Sequence, residues 1–64
     1  MSLRDLKKHL RAHGCELLRE GKEHSIYINP ANGKTAAVPR HVEIATVTGR
    51  KICDELEIPR MAGR

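Results

Sequence analysis

The first part of the chain has the spacing of apolar residues that is typical of a helix. Leucines recur every three or four residues: Leu3, Leu6 and Leu10. On a helix they would form one narrow apolar stripe. Ser2 has a hydroxyl that can cap the first turn, and Gly14 supplies a stop. The pattern therefore predicts a helix over residues 3–13.

After the helix the pattern changes to that of strands separated by turn residues. The three predicted strands cover residues 15–20, 24–29 and 34–38. Gly21 and Lys22 form a tight turn, and Asn32-Gly33 accepts the positive φ angles that a hairpin requires. Pro39 cannot donate a hydrogen bond to a neighbouring strand and ends the third one. Strands this short and this close in sequence favour an antiparallel meander.

A second helix is predicted over residues 45–56. Thr48, Ile52 and Leu56 would share one face of it. Gly49 makes its first half a weak helix former. The helical pattern nevertheless continues to Leu56, and this helix is predicted to be the last element of the domain.

The predicted order of elements is αβββα, with two helices packed on one face of a three-stranded antiparallel sheet. This is an α+β two-layer fold in a single domain that covers residues 1–64. Its ordered core is expected over about residues 2–59. Residues 60–64 are expected to form a basic tail.

The composition limits the kind of core and site that this domain can build. The chain has 64 residues and contains no Trp or Phe, so its core must be thin and aliphatic. Tyr27 is the only aromatic residue and is expected to pack in that core. A domain of this size has no room for a large enclosed pocket. Any site is expected to be an open face or a shallow groove.

The charge balance favours a polyanionic partner. Lys and Arg total 12 against 8 Asp and Glu, a net charge of +4, which suits nucleic acid but also fits an ordinary basic protein. With so few aromatic residues, contact with phosphates is a better expectation than stacking on bases. On the first helix Arg4, Lys8 and Arg11 form a basic stripe opposite the leucines. That stripe is either a solvated face or a phosphate-binding surface.

The cysteines and the helix histidines do not indicate a metal centre. Cys15 and Cys53 match no metal-ligand spacing and are expected to be reduced and partly buried. His9 and His13 are four residues apart on the first helix, but no third ligand completes a site. No metal and no small-molecule cofactor are therefore expected. The sequence has no signal-peptide pattern and no membrane-spanning run, which predicts a cytoplasmic protein with no membrane partner.

The order αβββα resembles the double-stranded-RNA-binding fold, and the motifs within it are more specific. Three stretches closely resemble the HicA toxin family: Gly21-Lys22-Glu23-His24-Ser25-Ile26-Tyr27, Asn29-Pro30 with Asn32-Gly33-Lys34, and Val38-Pro39-Arg40-His41. Residues 50–59 are also similar to the family's second helix. The resemblance covers residues 3–59, and the motifs are specific in combination rather than singly.

The resemblance implies the toxin of a two-gene toxin–antitoxin module. Members of the family are ribosome-independent endoribonucleases that cleave mRNA, and a HicB-type antitoxin neutralises them by covering the active histidine. The family's histidine begins the second strand and maps to His24. The usual Gly-Ser-His reads Lys22-Glu23-His24 here, with the glycine one place earlier at Gly21.

The chemistry of RNA cleavage indicates roles for the residues around this motif. RNA carries its own 2′-OH nucleophile, so a metal-independent ribonuclease needs two proton transfers and stabilisation of charge at the phosphate. Histidine suits both proton transfers near neutral pH, and His24 is assigned to that role. Lys22, Lys34 and Arg40 are the expected phosphate contacts. His41 is either a second acid–base group at the RNA-binding surface or a helix-entry residue.

Two other interpretations remain open from the sequence. His24 alternates with Ile26 and Ile28 along a strand, so it is also a candidate core or edge histidine with a structural hydrogen bond. The chain would then be a non-catalytic module that binds RNA or DNA, or a protein that only binds an acidic partner. Among these interpretations, only the ribonuclease requires the His24 imidazole for toxicity.

Overall fold

The computed structural model describes residues 1–61, and its elements follow the predicted order. They are helix α1 (Leu3–Ala12), strands β1 (Glu16–Glu20), β2 (His24–Asn29) and β3 (Lys34–Pro39), and helix α2 (Thr46–Leu56). The strands form one antiparallel sheet in the order β1-β2-β3. The predicted α+β fold, similar to a double-stranded-RNA-binding domain, is confirmed.

The two helices cover one face of the sheet, and β2 shows which face it is. Its side chains alternate between a buried set, Ser25, Tyr27 and Asn29, and a more exposed set, His24, Ile26 and Ile28. Tyr27 is 5% exposed, as predicted for a core residue. The core around it includes Leu6 and Leu10 of α1 and Ile52 and Leu56 of α2. We call the other side of the sheet, which carries the more exposed set, the open face.

Several large apolar residues lie outside this core. They are Leu17, Leu18, Val42 and Val47, whose exposed fractions range from 48% to 86%. All five residues of β1 are exposed, whereas β3, the other edge strand, buries Ala36 and Val38. The core is therefore even thinner than the composition indicates.

Side chains from the turn between β2 and β3 cap the C-terminal end of α2. The side-chain amides of Asn29 and Asn32 both donate to the Leu56 carbonyl, at 2.9 and 3.2 Å. The Asn29 Oδ1 accepts from the Ala31 N–H at 3.1 Å. Gly33 has a φ of +74°, as the predicted turn requires. The asparagines of this motif therefore join the sheet to the second helix through a carbonyl that the helix leaves unpaired.

Replacing Glu57 by glycine is expected to stabilise the domain by about 1 kcal/mol. Glu57 ends α2 in the left-handed conformation, with φ 58° and ψ 44°, which is unfavourable for a residue with a Cβ atom. Urea unfolding measures the gain. Glu57→Ala is the matched control, because it removes the same exposed contacts to Asn32 and Lys34 but keeps the strained backbone. An equal gain from both variants would contradict this explanation.

The N-terminal residues hold the segment between β3 and α2 against both helices. The Ile44 N–H donates to the Met1 carbonyl at 2.7 Å, and the Leu3 N–H donates to the Val42 carbonyl at 2.8 Å. The Met1 side chain packs on Gly49, where a Cβ atom would lie 2.5 Å from the Met1 sulfur. A side chain at this position would therefore require the flexible end of Met1 to shift.

The two cysteine side chains are part of the interior. Cys15 and Cys53 are each 1% exposed and form no disulfide. Burial raises the pKa of both thiols, so both are neutral near pH 7. Among residues 1–61, no helix is both long enough and apolar enough to cross a membrane.

The start of the predicted basic tail contacts the domain. Arg60 donates through Nε and Nη2 to the two carboxylate oxygens of Asp54, at 3.0 and 2.7 Å. These hydrogen bonds lower the pKa of the Asp54 carboxyl. Met61 packs against the core. The remainder of that predicted tail, residues 62–64, lies outside the described residues.

Candidate active site

His24 occupies the first position of β2, on the open face of the sheet. It lies opposite Pro39 of β3, at the end of the strand pair. The residue is exposed, and within residues 1–61 its imidazole has no hydrogen-bond or ion-pair partner. The structural hydrogen bond that the sequence left open for His24 is therefore not present among these residues. The imidazole is accessible to a molecule that lies on the open face of the sheet.

Two open grooves meet at His24. One is lined by Arg19, Glu20, Gly21, Lys22, Glu23, His24 and Ile26, and the other by Lys22, Glu23, His24, Arg40 and His41. Lys22 and Glu23 belong to both grooves because they form the turn that leads into β2. The fold therefore brings three of the expected site residues, Lys22, Arg40 and His41, to His24. The site is shallow and open, as the size of the domain predicts.

His41 lies in the segment between β3 and α2 and is exposed. Helix α2 begins at Thr46, so His41 does not lie at a helix entry. It shares the second groove with His24. It is therefore placed for contact with a molecule that occupies this groove.

The guanidinium of Arg40 is already engaged by the turn between β1 and β2. It donates to Glu20 Oε1 at 2.9 Å, to the Gly21 carbonyl at 2.7 Å and to the Lys22 carbonyl. The Gly21 N–H in turn donates to the His24 carbonyl at 2.7 Å. Arg40 therefore ties the end of β3 to the turn that carries Lys22, and a carboxylate partly neutralises its charge.

Replacing Arg40 by alanine is expected to loosen this turn and to lower the free energy of unfolding by about 0.5–1 kcal/mol. The figure is small because the Arg40–Glu20 pair is partly exposed. Amide hydrogen exchange at Gly21 is expected to be faster than in the wild type. Lys34→Ala removes a cation whose ion pair with Glu57 is long and exposed, at 4.0 Å, and is expected to change neither quantity. Unchanged exchange at Gly21 in Arg40→Ala would contradict this role.

The structure places Lys34, an expected phosphate contact, away from the two grooves of His24. It pairs with Asn29 at the far end of β2, whereas His24 pairs with Pro39. Five residues along a strand correspond to about 17 Å. The Lys34 ammonium lies 4.0 Å from a Glu57 carboxylate oxygen instead. Lys34 therefore belongs to the turn between β2 and β3, which lies beside the C-terminal end of α2.

Arg19 lines the groove of His24, a position that the sequence pattern did not reveal. Regular alternation places Arg19 on the same face as Leu17, which pairs with the buried Tyr27. A shift in register between Leu17 and Arg19 places Arg19 opposite Ile26 instead, on the open face. Arg19 thus lines the groove of His24. A single extra residue in an edge strand leaves no clear signal in the sequence.

The described residues offer no metal centre. Within residues 1–61, no three His, Cys, Asp or Glu side chains cluster closely enough to hold a metal ion. The His9 Nε2 lies 2.6 Å from the Pro59 carbonyl, and the His13 ring packs against the His9 ring with centroids 4.5 Å apart. His9 therefore links α1 to the segment after α2, and His13 packs beside it.

Comparison with known protein families gives one result that covers most of the chain. The sequence model of one family, described as the HicA toxin of bacterial toxin–antitoxin systems, matches residues 3–58. No curated protein and no solved structure shows a significant match. The matched range contains both helices, all three strands and every residue of the two grooves.

Proposed function

The chain belongs to the HicA toxin family of bacterial toxin–antitoxin systems, and on this premise we propose that it is an endoribonuclease that cleaves mRNA with His24 as its acid–base catalyst. The observation that carries the proposal is the accessible imidazole at the junction of two grooves, which has no side-chain partner within the described residues 1–61. Lys22 lines both grooves, and Arg19 lines the first of them. An open site of this kind suits a long, flexible polyanion better than a small substrate.

The proposed reaction uses the 2′-OH of the RNA as its nucleophile. His24 accepts the proton of this hydroxyl while its oxygen attacks the neighbouring phosphorus atom. The bond from phosphorus to the 5′-oxygen breaks, and that oxygen takes up a proton. The products are a 2′,3′-cyclic phosphate and a 5′-hydroxyl. No metal ion or other cofactor takes part in this scheme.

The remaining groove residues have distinct proposed roles. Lys22 and Arg19 bind the phosphate and stabilise the charge that develops on its oxygens. His41 lies in the second groove with His24 and is the candidate for the proton transfer to the 5′-oxygen. Arg40 acts as a positioning residue, because its guanidinium holds the turn of Lys22.

The proposed partner is a HicB-type antitoxin that covers the two grooves. Both are shallow and lie at one end of the sheet, so a protein surface can close them without a change in the fold. The exposed cations of the grooves favour an antitoxin surface with acidic groups. RNA and antitoxin would then compete for His24. The proposed place of action is the cytoplasm, where both are found.

Induced expression in bacterial cells tests this function. The wild type is expected to stop growth and to degrade mRNA, whereas His24→Ala does neither. His13→Ala is the matched control, because it also removes an exposed histidine, but from the C-terminal end of α1. Growth arrest by wild type and His24→Ala alike would contradict the role of His24. Growth arrest with intact mRNA would contradict the ribonuclease activity itself.

A further inference from the structure

Helix α1 carries a row of cations that the proposed catalytic site does not use. Arg4, Lys8 and Arg11 are exposed and line one surface groove together with Asp5. We call these three cations the α1 basic face. Residues at i, i+4 and i+7 lie on one side of a helix, and this row extends for about 10 Å along it.

The stability of the helix accounts for Arg11, which lies in the last turn, but not for the row as a whole. Like charges three and four residues apart repel each other, and Arg4 lies in the first turn, where the helix dipole disfavours a cation. Within residues 1–61, no member of the α1 basic face has a carboxylate within ion-pair distance. Elsewhere in these residues the N-terminal ammonium and three side chains do have one, namely Lys34, Arg40 and Arg60, whereas several other lysines and arginines do not. An anion bound along the row would remove the repulsion.

The α1 basic face begins close to the grooves of His24. The Leu3 N–H donates to the Val42 carbonyl at 2.8 Å, so the first turn of α1 lies against the segment that directly follows His41. Arg4 and Val42 also line a common groove. A polymer that leaves the groove of His24 past His41 and passes around this end of the sheet to the helix side reaches Arg4 before the rest of the row.

We propose that the α1 basic face binds backbone phosphates of the RNA substrate outside the cleavage groove. The inference rests on the proposed ribonuclease function and adds a second region of contact to it. Phosphate contacts position a nucleic acid but carry no base information. This face therefore raises the affinity for long RNA and does not set the cleavage sequence.

The test measures binding of a long single-stranded RNA by His24→Ala protein, which binds the RNA without cutting it. Arg4→Gln/Lys8→Gln is made in this background. Arg50→Gln/Lys51→Gln is the matched control, because it removes one arginine and one lysine that are exposed on α2 but do not face the same side of the helix. Glutamine is a good helix former, so both variants are expected to fold. Thermal unfolding checks this.

The α1 variant is expected to bind the RNA about tenfold more weakly, and the slope of log affinity against log salt is expected to fall by about 1.4, for two lost phosphate contacts. The α2 control is expected to keep both values near those of its parent.

An equal loss in both variants, or no loss in either, would overturn the proposal while leaving the proposed function intact. Unchanged RNA binding with weaker binding of the antitoxin would assign the face to the protein partner and overturn the proposal as well. Failure of the His24→Ala parent to bind RNA, together with failure of the wild type to cleave it, would overturn the proposed function and the inference together.

Discussion

Purified His24→Ala protein is expected to cleave RNA about 10²- to 10⁴-fold more slowly than the wild type. The substitution removes the only group to which we assign the proton of the 2′-OH. Lys22 and Arg19 remain to bind the phosphate, so the loss should appear in the rate of cleavage rather than in RNA affinity. Single-turnover cleavage of a defined RNA measures the rate, and a binding assay under the same conditions measures the affinity.

The structure also predicts that this variant folds normally. His24 is exposed and has no side-chain partner among residues 1–61, so its free energy of unfolding should stay within about 0.5 kcal/mol of the wild-type value. His13→Ala is expected to keep both its stability and its cleavage rate. If the wild type cleaves RNA and His24→Ala cleaves it equally fast, the catalysis belongs to another residue. A slow variant that is also unfolded would show that His24 has a structural role.

The largest expected effect on stability comes from replacing Asn29 by aspartate, which should cost about 3 kcal/mol. The Asn29 side chain is buried, donates to the Leu56 carbonyl and accepts from the Ala31 N–H. Aspartate keeps the acceptor, but it loses the donor and places a buried carboxylate against a carbonyl oxygen. A domain of this length has about 3–10 kcal/mol of stability in total. Urea unfolding should therefore show a variant near the limit of folding.

Asn32→Asp is the matched control for this prediction. Asn32 donates to the same Leu56 carbonyl, at 3.2 Å, but it is exposed, and its Oδ1 accepts from the Lys34 N–H. The substitution should cost no more than about 1 kcal/mol, because water can solvate the new carboxylate. Equal losses at Asn29 and Asn32 would contradict the explanation by burial.

The fold is predictable from the sequence because its signals are local. Leucines at helical spacing, a serine cap and the glycine and asparagine turns each act within a few residues. The histidine at the start of the second strand could also be placed from its motif. The face on which it lies could not be derived from alternation alone, because Ile26 and Ile28 share that face and are only half-buried. Both helices pack on the other face of the sheet, so the face that carries Ile26, Ile28 and His24 is left uncovered.

The rest of the site depends on tertiary geometry that has no local signal. A register shift in β1 brings Arg19 to His24, whereas Lys34 belongs to the opposite end of the sheet. Arg40 reaches the site as expected, but its guanidinium is bound to Glu20 and to two carbonyls of a turn about twenty residues away in sequence. Contacts between residues that are distant in sequence therefore decide which cations remain available to bind a phosphate.

The most direct test of the central claim is the chemical identity of the RNA ends. The purified wild type is incubated with a defined RNA in the presence of a metal chelator, and the products are analysed by mass spectrometry. Cleavage through the 2′-OH with His24 as acid–base catalyst predicts 2′,3′-cyclic phosphate and 5′-hydroxyl ends, absent with His24→Ala. Products with 5′-phosphate and 3′-hydroxyl ends, or cleavage that the chelator abolishes, would contradict the mechanism.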